Sequence, residues 1–333
     1  MLCLVGINTA SAQHEKETDA SIPLDKFYIK RHGASSIRKL ISKLNWSVST
    51  GTGYSFMRHR LNGFGILQNP GAAPVIYNKD NIGQGYSNWV NDSRSTSISP
   101  GAGSYQTDSD AGKIGFKSHP ISIPIKGTLH LDFKNFRIGG GYSTEYMHIG
   151  KFKPLSHSDK INDFSPEKSS LWMKHYFGMI GVRVYRYYEY SLVLDANIGG
   201  YKLGKNFNMG LIHKALYYNF GATIERDLSE YFRAFVRPSY EIKSYTLSMP
   251  GTSQNVTHKF NAFYLNVGVT YRIPELRRCF MKECHAQLNH AHGNREYRSR
   301  RHPIYKKQNP HYGENYPVIL KYKGGNKKKL NPY

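Results

Sequence analysis

The chain has 333 residues, with 46 Lys and Arg against 23 Asp and Glu, for a formal charge of +23. Tyr (26) and Gly (31) are abundant, and aromatic residues make up 14% of the chain. No run of 18 or more apolar residues occurs, which excludes a helical membrane protein but not a strand-built one, because barrel strands alternate and keep mean hydropathy low, here −0.57.

The first segment, Met1 to Ile7, is apolar and is followed by Ala10-Ser11-Ala12-Gln13. Ala10-Ser11-Ala12 fits an A-x-A cleavage site, so residues 1–12 read as the end of a secretion signal, with Gln13 as the mature first residue. Residues 13–44 are largely polar and charged, and within them Ile37, Leu40, Ile41 and Leu44 fall at i, i+3, i+4, i+7 spacing. That spacing predicts a short amphipathic helix ahead of the first strand, able to lie on a membrane surface, plug a barrel mouth or pack as a terminal helix.

From 45 to 272 the pattern changes to alternation of apolar and polar residues, the period of a strand with one apolar face. The segment Tyr190 to Ile198 puts Tyr190, Leu192, Leu194, Ala196 and Ile198 on one face and Ser191, Val193, Asp195 and Asn197 on the other. Eight such segments follow one another: about Trp46 to Met57, Ile121 to Phe133, Phe136 to Met147, Trp172 to Tyr185, Tyr190 to Tyr201, Ala215 to Arg226, Tyr231 to Tyr245 and Phe260 to Arg272. The segments run from 12 to 15 residues, near the length that crosses a bilayer at a tilt. Links one, three, five and seven are long, and the longest, from Arg58 to Pro120, is rich in Gly, Asn, Ser and Pro. Links two, four and six are tight. All turns and both termini therefore lie at one end, and all long loops at the other.

The polar faces decide between a soluble and a membrane barrel. They carry Lys126, Asp132, Arg137, Glu145, Arg183, Asp195, Glu225, Arg233, Arg237, Glu241, Lys243 and Arg272. The apolar faces carry Trp46, Tyr146, Trp172, Tyr190 and Tyr271 near strand ends, as interfacial girdles do. The expected fold is thus all-β: an eight-stranded antiparallel transmembrane β-barrel with its apolar face outward. Eight strands leave only enough room for side chains to fill the interior, so both signs of charge must pair there in a network that closes the lumen.

The Ala12-Gln13 junction, the eight alternating Tyr-rich segments and the long–short links resemble the small outer-membrane barrels of the OmpA/OmpX type, in versions from Bacteroidota, over about Trp46 to Arg272. A further resemblance is to accessory barrels of type IX secretion and gliding machinery. The resemblance implies an integral protein of the bacterial outer membrane, in contact with outer-membrane lipid, that serves as an anchor, adhesin or assembly subunit rather than as an enzyme.

Residues 273–333 form a basic tail, with 14 Lys and Arg against 4 Asp and Glu from Glu275 onward. Its candidate partner-binding residues are Arg298, Arg300, Arg301, Lys306, Lys307, Lys327, Lys328 and Lys329. Basic residues interleaved with Tyr would mark a nucleic-acid binder inside a cell. Behind a secretion signal, no nucleic acid is expected, and the tail points instead to a periplasmic partner, an envelope protein complex or peptidoglycan. Cys279, Cys284, His285, His290 and His292 form a cluster, C-x4-C-H-x4-H-x-H. A Cys279–Cys284 disulfide closing a small loop is the simpler reading, and a thiolate–imidazole metal site is the alternative. No nucleotide-binding glycine loop, G-x-S-x-G or H-E-x-x-H motif occurs, and no cofactor is expected. The remaining readings are a surface barrel that binds ligand through residues 58–120, and a lipid-acting barrel enzyme with His148 and Ser170 at its external end.

Overall fold

The computed structural model describes residues 33–298 apart from 80, 109, 111, 188, 285–288 and 294. The leader, His285 and the tail from 299 onward lie outside the described residues.

Eight strands form the wall: β1 (Leu44–Arg60), β2 (Ile121–Phe133), β3 (Phe136–His148), β4 (Ser170–Tyr187), β5 (Tyr190–Lys202), β6 (Tyr217–Asp227), β7 (Phe232–Ile242) and β8 (Asn255–Arg272). Each pairs antiparallel with its neighbour in sequence, and β8 pairs back to β1 from Asn45↔Arg272 to His59↔His258, closing the sheet. Closure leaves no exposed strand edge, which is what a sheet in hydrocarbon requires. β1 and β8 run further into the long-loop end than expected, to Arg60 and from Asn255, whereas β6 and β7 stop short of it, at Tyr217 and Ile242. There the wall continues through 115–118 against β1, and through 212–214 and 244–248 beside β8. A bulge between Arg183 and Tyr185 shifts the register of β4 against β5.

The outer face is apolar. Trp46, Val48, Ile123, Ile125, Leu129, Ile138, Ile180, Leu194, Phe220, Ile224, Leu265, Val267 and Val269 all point away from the barrel and are exposed. Trp46 and Tyr271 face each other near the turn end, and Tyr54, Phe56 and the Tyr146–Trp172 pair (ring centroids 5.3 Å apart) mark the loop end. The ten steps from Trp46 to Phe56, at about 3.3 Å each and a tilt near 40°, span about 25 Å, the height of an apolar band in an outer-membrane barrel. A soluble barrel would bury this face, so the wall is that of a membrane-spanning barrel.

The long link after β1 is not an open loop. Residues 64–108 fold into a five-stranded antiparallel sheet, ordered Arg94–Ser97, Asn81–Ser87, Val75–Asn78, Phe64–Gln68 and Tyr105–Asp108. Together with residues 149–169 this sheet caps the barrel. Its buried Leu61, Phe64, Ile66, Ile76, Tyr86, Trp89 and Val90 join Phe116, Phe152, Phe164, Tyr245 and Phe260 in a single apolar core. Residues 58–120 thus form a folded cap whose apolar side chains pack into the barrel mouth, rather than an irregular loop. The predicted helix forms as α1 (Ser36–Ile41), N-capped by Ser35. Ile37 and Leu40 stay 73% and 59% exposed, so it neither packs on nor plugs the described barrel.

Val267→Arg, in the middle of the outer band, should destabilise the folded barrel by about 2–4 kcal/mol in lipid vesicles. Urea titration followed by heat-modifiable gel mobility measures the difference.

Candidate functional site

The lumen is filled in three layers. At the turn end, Arg137 on β3 donates to Asp132 Oδ1 (2.8 Å) and to Glu225 Oε1 (2.7 Å). Arg233 on β7 donates to Glu225 Oε2 (2.8 Å) and Asp227 Oδ1 (2.8 Å). Arg183 and Arg272 close the layer on Asp132 (3.4 Å) and Asp227 (3.6 Å). Glu225, 1% exposed, thus serves two guanidinium groups and also accepts from Ser191 Oγ at 3.1 Å. Above this layer, Arg237 pairs with Asp195 and donates to Asn219 Oδ1 at 2.7 Å, while Thr223 donates to the other Asp195 oxygen at 2.6 Å. Gly221 makes this possible, because a Cβ there would lie 2.6 Å from the Arg237 guanidinium. Lys126 faces the same layer with its ammonium 5.6 Å from the Phe177 ring centre. A cavity of about 40 Å³ remains at this height, room for a few waters.

The third layer gathers Lys243, Glu145, Glu241, His175 and Tyr264. Lys243 Nζ lies 2.8 Å from Glu241 and 3.4 Å from Glu145, and Tyr264 donates to Glu145 at 2.7 Å. Glu145, His175 and Glu241 could supply three metal ligands, but the Lys243 ammonium already sits among them as their counter-charge. Beyond this layer the interior turns apolar. Trp89 of the cap enters the mouth, donates Nε1–H to His59 Nε2 (3.0 Å), accepts from His258 Nε2 at its carbonyl (3.1 Å) and stacks on Phe164 with centroids 4.2 Å apart. Tyr245 donates to Val90 O at 2.9 Å. The lumen is thus charged below the cap and apolar at its mouth.

The structure brings the sequence-predicted lumen residues together and adds Asp227, Tyr264 and the plug around Trp89, which sequence reasoning missed. Asp227 stood in a presumed turn. The lone Trp in a polar stretch, flanked by Asn88 and Val90, was the available signal for the plug.

After β8 the chain forms a small module at the turn end. Arg277–Arg278 pairs parallel with Arg295–Arg298, which pairs antiparallel with His290–His292. Gly293, at φ +60°, starts the tight turn between the last two. Cys279 and Cys284 are not bridged in this structure. Each sulfur is turned to a different imidazole instead: Cys279 Sγ lies 3.3 Å from His292 Nε2, and Cys284 Sγ lies 3.2 Å from His290 Nε2. The four donor atoms lie within 4.8 Å of one another.

Arg298 is the one described member of the predicted partner-binding set. It is 4% exposed, donates to Glu230 Oε2 at 2.6 Å and lies over the Tyr231 ring. Burial draws its guanidinium below the ordinary value, and Glu230 draws it back up. The expectation that Arg298 meets an outside partner is therefore corrected, because its charge is taken by the turn between β6 and β7. Arg38 of α1 donates to Glu275 O at 2.8 Å and clamps the module from the other side. His148 and Ser170 do meet at the long-loop end, Nδ1 to Oγ 3.5 Å. Ser170 also accepts from Tyr146 at 3.1 Å, and no carboxylate hydrogen-bonds to His148 among the described residues.

No family model matches the chain, and no curated protein matches it. Among solved structures, the outer membrane protease OmpT from Escherichia coli aligns at 13% identity and a TM-score of 0.34, covering 70% of this chain and 97% of that one. A Pseudomonas aeruginosa FadL homologue aligns at 7% identity and a TM-score of 0.15, covering 71% and 91%.

Glu225→Gln leaves two buried guanidinium groups short of a counter-charge. It should cost about 3–5 kcal/mol of barrel stability by urea titration.

Proposed function

We propose that this protein is an outer-membrane anchor: a sealed barrel that holds a basic module and tail on its periplasmic face, where they bind an envelope protein complex or peptidoglycan. The observation that carries this reading is the filled lumen. Ionic layers occupy its lower part and the Trp89 plug its mouth, so the barrel's working surfaces are its two ends. Both ends of the wall, Leu44 and Arg272, emerge at the turn end, and Arg38 and Arg298 tie the module there. The tail that follows carries Arg300, Arg301, Lys306, Lys307, Lys327, Lys328 and Lys329, a density of positive charge suited to an anionic partner.

The outer surface supports a lipid partner of opposite charge. Just beyond Phe56, Lys259, Arg58, Lys117 and Lys153 stand opposite one another on successive strands and are exposed. Like charges directly across a sheet repel, and anionic headgroups at this height relieve that repulsion. The anchor reading is non-enzymatic. An acyl-transfer role for His148 and Ser170 would need a group to orient the imidazole, and the described contacts supply none.

Deleting residues 299–333 should leave a heat-modifiable barrel in the outer membrane while abolishing co-purification of its envelope partners. Pull-downs of the full-length and shortened proteins from outer membranes make the test. Partner recovery unchanged by the deletion overturns the reading.

A further inference from the structure

We propose that Cys279, Cys284, His290 and His292 form a zinc site that sets the fold of the module behind the barrel. This proposal stands on the module's own geometry and not on the anchor reading. A tetrahedral zinc ion with Zn–S near 2.3 Å and Zn–N near 2.05 Å places neighbouring S and N ligands about 3.6 Å apart. The two S···N distances are 3.3 and 3.2 Å, and all four donor atoms lie within 4.8 Å of one another. Two separate thiol–imidazole hydrogen bonds would account for each short distance alone. They would not require both pairs to converge on a common centre.

The sequence is arranged to produce that convergence. His290 and His292 stand two apart on one strand, so both rings leave the same face, with centroids 4.8 Å apart and planes at 86°. Cys279 directly follows the 277–278 strand, and its amide donates to Arg298 O at 2.9 Å, which places it in the layer beside the two imidazoles. The turn at Met281, whose carbonyl accepts from Cys284 N at 3.4 Å, brings the second sulfur back. Phe280 packs edge-on against His292 and Tyr297, with centroids 5.8 and 5.3 Å away, and shields one side of the cluster. Cys279 itself is 2% exposed.

The donor set selects the ion. Two thiolates and two imidazoles in a tetrahedral arrangement suit zinc, whereas calcium and magnesium require oxygen ligands. Four protein ligands leave no open position, so the site is structural. Each thiol gives up its proton to solvent as the metal binds, and the imidazoles bind as neutral rings. The module is three strands of two to four residues, too small for a core of its own. Zinc cross-links its first strand to its second and so fixes the strand that ends at Arg298, the residue joined to Glu230.

The test uses full-length protein folded in detergent, reduced, loaded with zinc alone and freed of excess metal. Elemental analysis should find one zinc per chain. Cobalt in place of zinc should give thiolate charge-transfer and tetrahedral d–d absorption. Cys279→Ser with Cys284→Ser, and separately His290→Ala with His292→Ala, should weaken zinc binding by more than about 100-fold, beyond the effect of losing an outer-shell partner. Heat-modifiable mobility should be unchanged in both variants, which separates loss of the site from loss of the barrel. The proposal is overturned by zinc absent from the wild type, by zinc retained in the double-cysteine variant, or by a mapped Cys279–Cys284 disulfide in protein taken from the cell envelope.

Discussion

An eight-stranded lumen is too narrow for bulk water and too poor a solvent for lone ions, so every carboxylate on its inner wall must meet a cation. The rest of the structure follows from that requirement. Glu225 is shared by Arg137 and Arg233, Asp132 by Arg137 and Arg183, and Asp227 by Arg233 and Arg272, so one turn-end network reaches strands β2, β3, β4, β6, β7 and β8. Register is fixed along with it. A one-residue slip of any of these strands would send its arginine or carboxylate into the apolar band outside.

The same requirement separates the two ends of the molecule. Toward the turns the lumen is ionic and continues into a basic module held by Arg38 and Arg298. Toward the long loops the ionic layers stop at Lys243 and Glu145, and the mouth is closed by an apolar core that the cap shares with the wall. The change of chemistry has a physical cause. The strands extend past the outer band, where the cap shields the interior from water, so a conventional hydrophobic core can form there.

Much of the wall was legible in the sequence because its signal is strictly local. Period-two alternation identifies a strand, link length gives sidedness, and Arg and Glu on the polar parity give the direction of the inner face. The cap was not legible. Its strands are four to seven residues long, lie in a Gly- and Asn-rich stretch, and find partners among themselves rather than in the barrel alternation. Its buried residues gain their apolar surroundings only from distant partners such as Tyr245 and Phe260. The Cys and His residues after the barrel were visible as a cluster, but spacing alone did not tell a disulfide from a shared centre. That distinction depends on Gly293 folding His292 back onto the strand that ends at Arg298, and on which way each sulfur turns. The role of Arg298 was hidden for the same reason, since its partner Glu230 lies 68 positions earlier in the chain.

Paired charge and the Trp89 plug close the barrel, which leaves its function to its ends. Single-channel recording of the folded protein in a planar lipid bilayer tests this most directly. A closed lumen leaves the membrane silent at moderate voltage and neutral pH. Steady ohmic conductance steps from the wild-type protein would contradict it.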